Sequence, residues 1–181
     1  ATVAAGMALA GKIPFIASYA AFSPGRNWEQ IRTTIALNEA NVKIVGSHAG
    51  VSVGPDGATH QALEDIALMR AMPGMKVVYP ADAIEAEKAT IAIAKEEGPA
   101  YLRLARAGSA VITTEKTPFV LGKIERFAEG SDVTIVASGP LVVEALQAAK
   151  NLAEKGISVD LLNLHTIKPI DEKMLVQSVQ K

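Results

Sequence analysis

Short apolar runs alternate with amphipathic, helix-like segments, and this alternation constrains the fold more than any other feature of the sequence. Strand-like runs occupy residues 13–18, 42–47, 76–80 and 100–105, and helical patterns lie between them at 28–37, 61–71 and 84–96. Such alternation is typical of βαβ units. We therefore predict an α/β fold with a doubly wound parallel sheet, in which ligands bind at the carboxyl ends of the strands.

A second unit of the same kind follows a break in this rhythm. Residues 108–117 contain glycine, serine and paired threonines and are interpreted as a connection. A strand at 133–139, a helix at 141–155 and a strand at 159–165 come after it. We therefore predict a first domain at 1–115 and a partial second α/β domain at 116–181. Both ends interrupt helical patterns, so we expect the chain to be truncated at both ends.

Charge and composition narrow the classes of partner. Lysine and arginine number 18 against 19 aspartates and glutamates, without the basic stripe that nucleic acid or an anionic membrane requires. We predict no nucleic-acid partner. The longest apolar stretch, residues 13–22, has about half the length needed to cross a bilayer, so no membrane span is predicted. The absence of cysteine is compatible with a reducing compartment, and we expect a cytoplasmic protein.

One loop carries most of the chemistry-bearing side chains. His48 and His60 flank the segment SHAGVSVGPDGATH, which leaves a predicted strand and enters a predicted helix. Loops in that position build the sites of α/β proteins. Asp56 places a carboxylate among glycines, which permit close approach of the backbone to a ligand. A turn that caps the following helix through Thr59 is an alternative role for Asp56.

This loop and its surroundings resemble transketolases. The run from Ser47 to Ala86, including Gly-x-Asp-Gly-x-Thr-His and Met-Pro-Gly in order, is similar to the corresponding segment of short C-terminal subunits of split transketolases, and the similarity covers nearly the whole chain. The resemblance implies a pyrimidine-binding domain for thiamine diphosphate, followed by the start of the transketolase C-terminal domain. It also implies transfer of a two-carbon ketol unit from a ketose phosphate to an aldose phosphate, as in the pentose phosphate pathway.

The resemblance assigns roles to individual residues. It implies that His48 and His60 face the reacting sugar and serve acid and base steps, with His48 also near a substrate phosphate. Asp56 would read a sugar hydroxyl. Arg106 would pair with the phosphate end of the sugar, for which a planar guanidinium is suited. We predict no metal ligands in this chain.

Two aromatic residues follow the first predicted strand. By resemblance, Tyr19 and Phe22 stack against the aminopyrimidine ring of thiamine diphosphate, and packing in the core is an alternative for both, more so for Tyr19. Three further residues are assigned no part in the chemistry. We interpret Trp28 as a packing residue, Arg103 as a surface or helix-packing cation, and His165 as structural.

The remaining parts of the implied site belong to another domain or subunit. Mg²⁺ and the diphosphate would be bound mainly by an N-terminal transketolase domain or subunit, and the sequence has no Gly-Asp-Gly diphosphate signature. The glutamate that activates the cofactor in this family is expected upstream of Ala1. We expect the chain to be inactive alone and to form a dimer of such pairs.

Three alternatives remain open at this point. 1-Deoxyxylulose-5-phosphate synthase shares the Gly-x-Asp-Gly-x-Thr-His run, but its preceding segment usually reads Asp-Arg-Ala-Gly where this chain has Ser47-His48-Ala49-Gly50. The beta subunit of a 2-oxoacid dehydrogenase organises this loop differently. A non-catalytic partner or scaffold subunit is an alternative from another class.

Overall fold

The computed structural model describes residues 1–181 and contains two β-sheets with helices packed on them. The strands are β1 (Phe15–Tyr19), β2 (Lys43–Ser47), β3 (Lys76–Val78), β4 (Ala100–Arg103), β5 (Glu125–Ala128), β6 (Val133–Ala137), β7 (Val159–Asn163) and β8 (Thr166–Lys168). The helices are α1 (Thr2–Leu9), α2 (Trp28–Gln30), which continues as a π-helical segment (Ile31–Ala36), α3 (Asp65–Arg70), α4 (Ala83–Lys95), α5 (Leu141–Ala153) and α6 (Glu172–Val179).

The first sheet has the strand order β1-β2-β4-β3-β8. Its first four strands are parallel, which confirms the predicted α/β fold class. β8 comes from the second half of the chain and pairs antiparallel with β3, so the two halves of the molecule share this sheet. The crossover connections place helices on both faces, as parallel sheets require.

Both faces of the first sheet are buried by apolar side chains. One face packs against the π-helical segment and α3, and its core includes Ile31, Ile35, Ile44, Met69 and Met75. The other face packs against α4, and its core is Val78, Ala89, Ile93, Ala100 and Leu102. Burial of each large aliphatic side chain stabilises the fold by about 1.5–3 kcal/mol. The two cores fix the relative positions of the strand ends.

The second sheet is smaller and has the strand order β5-β7-β6. β6 and β7 are parallel, and β5 runs antiparallel to β7. The apolar residues of α5, led by Ala145, cover one face over Val159 and Leu161. On β7, the carboxylate of Asp160 is almost fully buried and pairs with Arg126 at 2.9 Å.

Several predicted elements differ from the structure. The helix predicted at 61–71 begins only at Asp65. The carbonyl of Ala62 accepts a hydrogen bond from the Gly50 amide and therefore takes no part in helical hydrogen bonding. The strands β5 and β8 were not predicted, since both are short and lie next to segments with mixed polarity. The helices at 84–96 and 141–155 are confirmed, to within two residues at each end, as α4 and α5.

No helix in the structure combines the length and apolar character needed to cross a membrane.

Candidate functional site

Three neighbouring parallel strands end at the same edge of the first sheet. Tyr19, the last residue of β1, is in register with Ser47, the last residue of β2. β4 lies on the other side of β2, and the amide of Leu104 donates to the carbonyl of Gly46. Because carboxyl ends of parallel strands meet at one edge, the segments that follow β1, β2 and β4 lie side by side.

Four rings cluster where β1 and β2 end. The ring of Tyr19 is stacked on that of His48, with centroids 3.9 Å apart, and is near-parallel to that of Phe22 at 6.1 Å. His60, from the far end of the loop, stands edge-on to both aromatic rings, at 6.1 Å from Tyr19 and 5.2 Å from Phe22. The structure thus brings together the two aromatic residues and the two histidines that the sequence analysis singled out.

Each of these two histidines uses one ring nitrogen within the chain. Nδ1 of His48 lies 3.1 Å from the Ser47 hydroxyl, and Nδ1 of His60 lies 2.9 Å from the Thr59 hydroxyl. Both rings are half-buried. Contact at Nδ1 orients each ring and leaves Nε2 for a ligand.

The backbone of His48 is strained. Its φ is 56°, in the left-handed region that side chains other than glycine seldom adopt. Such a conformation costs about 1–3 kcal/mol and persists where the surroundings impose it, most often at functional sites. The stacking of its ring on Tyr19 is the contact that this turn achieves.

The charged residues Asp56 and Arg106 lie on the open side of the loop. Both side chains are exposed. The guanidinium of Arg106 packs along Gly54, where an added Cβ would stand 3.1 Å from Nη1, and Gly54 has a φ of 82°. The positive φ therefore favours glycine there, and a Cβ would also require the exposed guanidinium to shift slightly. This contact places Arg106 beside the segment that carries Asp56.

The arrangement suits a ligand that has a flat ring and anionic or hydroxyl groups. Phe22 offers an aromatic surface, with the guanidinium carbon of Arg26 at 4.6 Å from its centroid. The two imidazoles and the exposed Arg106 supply hydrogen-bonding and cationic groups nearby. No group of three or more histidine, cysteine, aspartate or glutamate side chains is placed to hold a metal ion.

Two family profiles together match most of the chain. "Transketolase, pyrimidine binding domain" matches residues 1–109, and "Transketolase, C-terminal domain" matches residues 122–181. The chain belongs to the transketolase family. The recognition made from the loop sequence is thereby confirmed, and the predicted division at residue 115 stays a prediction.

Individual members of the family resemble the chain closely. The 6-deoxy-6-sulfo-D-fructose transketolase subunit SqwH of a Clostridium species is 44% identical over 99% of this chain and 56% of that protein. One of the subunits of the apulose-4-phosphate transketolase of Phocaeicola vulgatus is 38% identical over 99% of this chain and 58% of that protein. A solved structure titled "Split gene transketolase, inactive beta4 tetramer" superimposes with a TM-score of 0.91 and 43% identity, over 98% of this chain and 57% of that one. The chain thus spans a little more than half the length of these relatives.

Of the two roles that the sequence analysis gave Arg103 in this transketolase chain, surface cation or helix-packing cation, the structure excludes the first and supports the second, since Arg103 packs against the start of α3. Its residue is only 8% exposed, and its Nε donates to the Asp65 carboxylate at 2.8 Å. The guanidinium carbon also lies 4.4 Å from the centroid of the Tyr79 ring. The surface role is excluded because α3 and Tyr79 cover this side of the strand.

Asp65, Tyr79 and Tyr101 were missed by the sequence analysis. Tyr101 is fully buried on β4 and donates to Oδ2 of Asp65 at 2.7 Å, and burial, followed by the nearby Asp65 charge, raises the pKa of the Tyr101 hydroxyl. Burial also raises the pKa of Tyr79, against the lowering effect of the Arg103 charge. An arginine in an otherwise apolar strand was the available signal, since a buried charge requires a partner.

The remaining sequence assignments concern two packing residues. His165 is 1% exposed and its ring stacks on Phe119 at 4.2 Å, and burial lowers its pKa to about 4. Trp28 donates from its indole nitrogen to the carbonyl of Leu68 at 3.0 Å. The contacts of both residues are internal, which fits the structural roles assigned to them.

Proposed function

We propose that this chain is the C-terminal portion or subunit of an enzyme that transfers a two-carbon ketol unit from a ketose phosphate to an aldose phosphate. The ring cluster of Tyr19, Phe22, His48 and His60 at the ends of β1 and β2 is the observation that carries the proposal. The names of two similar proteins, both transketolase subunits with sugar-derived substrates, support it. Ketose phosphates are the substrate class that fits the exposed Arg106 and Asp56.

Membership of the transketolase family implies use of thiamine diphosphate, and the residues present fit its aminopyrimidine. Phe22, a half-buried ring in the turn after β1, offers an apolar face, and Tyr19 lies in the same cluster. When bound, the cofactor supplies a carbanion equivalent able to attack a ketose carbonyl. The role proposed for Tyr19 and Phe22 is to fix the orientation of its ring.

The histidines act on the sugar in this proposal. With Nδ1 held by a neighbouring hydroxyl, His60 would use Nε2 to accept a proton from a sugar hydroxyl and to return it later. His48 has the same arrangement through Ser47 and would hold a second hydroxyl or a phosphate oxygen. Asp56 would accept a hydrogen bond from one hydroxyl, and Arg106 would bind the phosphate.

A partner completes the proposed site. No cluster of metal-binding side chains occurs in this chain, and its similarity covers just over half of its relatives. We assign the Mg²⁺ and diphosphate to an N-terminal transketolase domain or subunit, with two such pairs forming a dimer. On this proposal the chain contributes to a composite site and is inactive alone.

An assay of two-carbon transfer tests this function. The full-length C-terminal portion that contains this chain is mixed with the N-terminal domain or subunit, thiamine diphosphate and Mg²⁺. The substrates are xylulose 5-phosphate and ribose 5-phosphate. The expected result is formation of glyceraldehyde 3-phosphate only when both halves are present. A panel that includes other ketose donors identifies the preferred sugar.

The same assay separates the alternatives. Condensation of pyruvate with glyceraldehyde 3-phosphate would assign the chain to 1-deoxyxylulose-5-phosphate synthase. Decarboxylation of a 2-oxoacid that needs an acyl acceptor would assign it to the 2-oxoacid dehydrogenases. Stable assembly without turnover of any donor would indicate a non-catalytic partner.

A further inference from the structure

A buried ion pair lies directly beneath the candidate site. Asp65, at the start of α3, is 1% exposed and accepts from Arg103 at 2.8 Å and from Tyr101 at 2.7 Å through the same carboxylate oxygen. Tyr101 fits because β2 has Gly46 opposite its hydroxyl, where a Cβ would stand 2.2 Å from the oxygen. Buried ion pairs of this kind seldom add net stability over apolar residues, because of the cost of desolvation. Stability alone therefore does not account for this pair.

The guanidinium of Arg103 bonds to one end of the loop that carries the histidines and lies beside the other end. The loop is closed at its neck, which we define as Gly50 and Ala62, by a hydrogen bond of 2.9 Å from the Gly50 amide to the Ala62 carbonyl. Nη2 of Arg103 donates to the same carbonyl at 3.5 Å. The same nitrogen lies 3.4 Å from the position of a Cβ on Gly50. His48 is two residues before the neck, and His60 is two residues before its other end.

One face of the guanidinium rests on Tyr79, at the joint between the two sheets. Tyr79 lies under Arg103, with 4.4 Å between the guanidinium carbon and the ring centroid. The backbone of Tyr79 is bonded on both sides to the second half of the chain, through the carbonyl of His165 at 2.8 Å and the amide of Gly139 at 3.2 Å. A Cβ on Gly139 would stand 2.3 Å from the Tyr79 ring, so the backbone packs directly on it.

We propose that Arg103 is a positioning residue, which fixes the neck of the loop against Asp65 and Tyr79 and thereby places His48 and His60. The inference rests on the proposed function, in which those histidines act on the sugar. Arginine suits the role because one planar group donates to a carboxylate and a carbonyl while it stacks on a ring. A lysine ammonium is a single point charge and could not contact the Asp65 carboxylate, the Ala62 carbonyl and the Tyr79 ring at once.

Two substitutions at Arg103 test the inference in the assembled protein with its partner half. Arg103→Met removes the charge and the fork, and Arg103→Lys retains the charge alone. Arg126→Met and Arg126→Lys are matched controls, since Arg126 also pairs with a buried aspartate, Asp160, but lies in the second sheet. The readouts are kcat, KM for the sugar, the Kd of thiamine diphosphate, and amide hydrogen exchange at Gly50.

The expected result is a split between sugar chemistry and cofactor binding. Arg103→Met should lower kcat/KM by about 10- to 100-fold, since small misplacements of catalytic groups have effects of this order, and Arg103→Lys should recover part of that loss. Cofactor Kd should change much less than kcat/KM, because the segment after β1 carries Tyr19 and Phe22 and the neck does not, and only the stacking of Tyr19 on His48 transmits part of the displacement. The Gly50 amide should exchange about tenfold faster in both variants and not in the controls.

Other results would overturn the inference. Unchanged kcat/KM and Gly50 exchange in Arg103→Lys would show that the neck does not depend on the guanidinium fork, and this variant decides the matter if Arg103→Met fails to fold. Equal loss of activity in the Arg126 controls would show a general effect of stability. If the wild-type assembly transfers no two-carbon unit, the proposed function fails, and Gly50 exchange in the Arg103 variants alone supports or overturns the positioning role.

Discussion

The loop after β2 and the joint between the two sheets both concentrate polar side chains, yet they use them in opposite ways. In the loop, His48 and His60 each spend one ring nitrogen on a neighbouring hydroxyl and remain half-buried. At the joint, polar groups are enclosed and hydrogen-bond to one another: Glu85 accepts from the Ala81 amide at 2.6 Å and from Asn163 at 2.7 Å. The loop therefore keeps hydrogen-bonding groups available for a ligand, whereas the polar groups of the joint bond to one another within the fold.

The connection at residues 108–117 is bonded to the joint between the sheets. Asp82 caps α4 and accepts from the amides of Ile112 and Thr113 at 2.8 and 2.6 Å. Burial raises the pKa of Asp82, but these hydrogen bonds and the one from Glu85 outweigh it and lower the pKa overall. Burial raises the pKa of Glu85. The comparison shows that buried polar groups which bond to one another at the joint can support a neighbouring loop whose polar groups remain available to a ligand.

The largest expected effect comes from removing a free histidine of the loop. His60→Ala should lower kcat by about 100-fold or more, the usual contribution of a general acid or base, with cofactor Kd nearly unchanged. Steady-state kinetics and a cofactor titration of the assembled protein check this, with Lys116→Ala on the exposed connection as control. Equal losses of turnover and cofactor affinity would place His60 at the cofactor instead of the sugar.

The enclosed histidine should act on stability and its pH dependence. Burial lowers the folded-state pKa of His165 from 6.5 to about 4, so between these values the unfolded chain binds a proton that the folded chain does not. Stability from this residue is therefore lost as pH falls from 6.5 towards 4, by about 3 kcal/mol at about 1.4 kcal/mol per pKa unit. Urea unfolding of wild type and His165→Asn across this range measures it. Parallel pH profiles would contradict the account.

A smaller effect is expected at the aromatic part of the site. Phe22→Ala should weaken thiamine diphosphate binding by about tenfold, because a stacked ring contributes about 0.5–1.5 kcal/mol beyond its buried area. At saturating cofactor, kcat should be largely retained. Phe22→Leu keeps apolar area without the ring, so its affinity for thiamine diphosphate should lie between those of the wild type and Phe22→Ala. Unchanged affinity in Phe22→Ala would remove this residue from the cofactor site.

The smallest effect should follow from Asp56→Asn. Because Asp56 is exposed, loss of its charge should change kcat/KM by only a few fold, in line with one hydrogen bond to a charged group near the surface. The change should differ between ketose donors that are epimers at the hydroxyl it reads. Identical changes for both epimers would show that Asp56 does not read the sugar.

The sequence predicted most of the architecture and the local part of the site. Strands β1 to β4 and helices α4 and α5 follow from patterns of apolar residues. The position of the histidine loop follows from the strand end before it, and Tyr19 and Phe22 were assigned by resemblance to transketolases. The environment of Arg103 did not follow, because Asp65 is 38 residues away and pairs with it only after α3 packs on the sheet. Likewise, β8 is a strand only because β3 offers it an edge. Local patterns do not encode such pairings.

The central claim is that this chain supplies one wall of a site that is complete only with the N-terminal half. The most direct test varies the molar ratio of the full-length C-terminal portion, which contains this chain, to the N-terminal half at fixed total protein concentration. Thiamine diphosphate, Mg²⁺, a ketose phosphate and an aldose phosphate are present in excess. The account predicts maximal two-carbon transfer at equal amounts, none with either half alone, and a loss of that maximum with His60→Ala. Full transfer by the N-terminal half alone would contradict it.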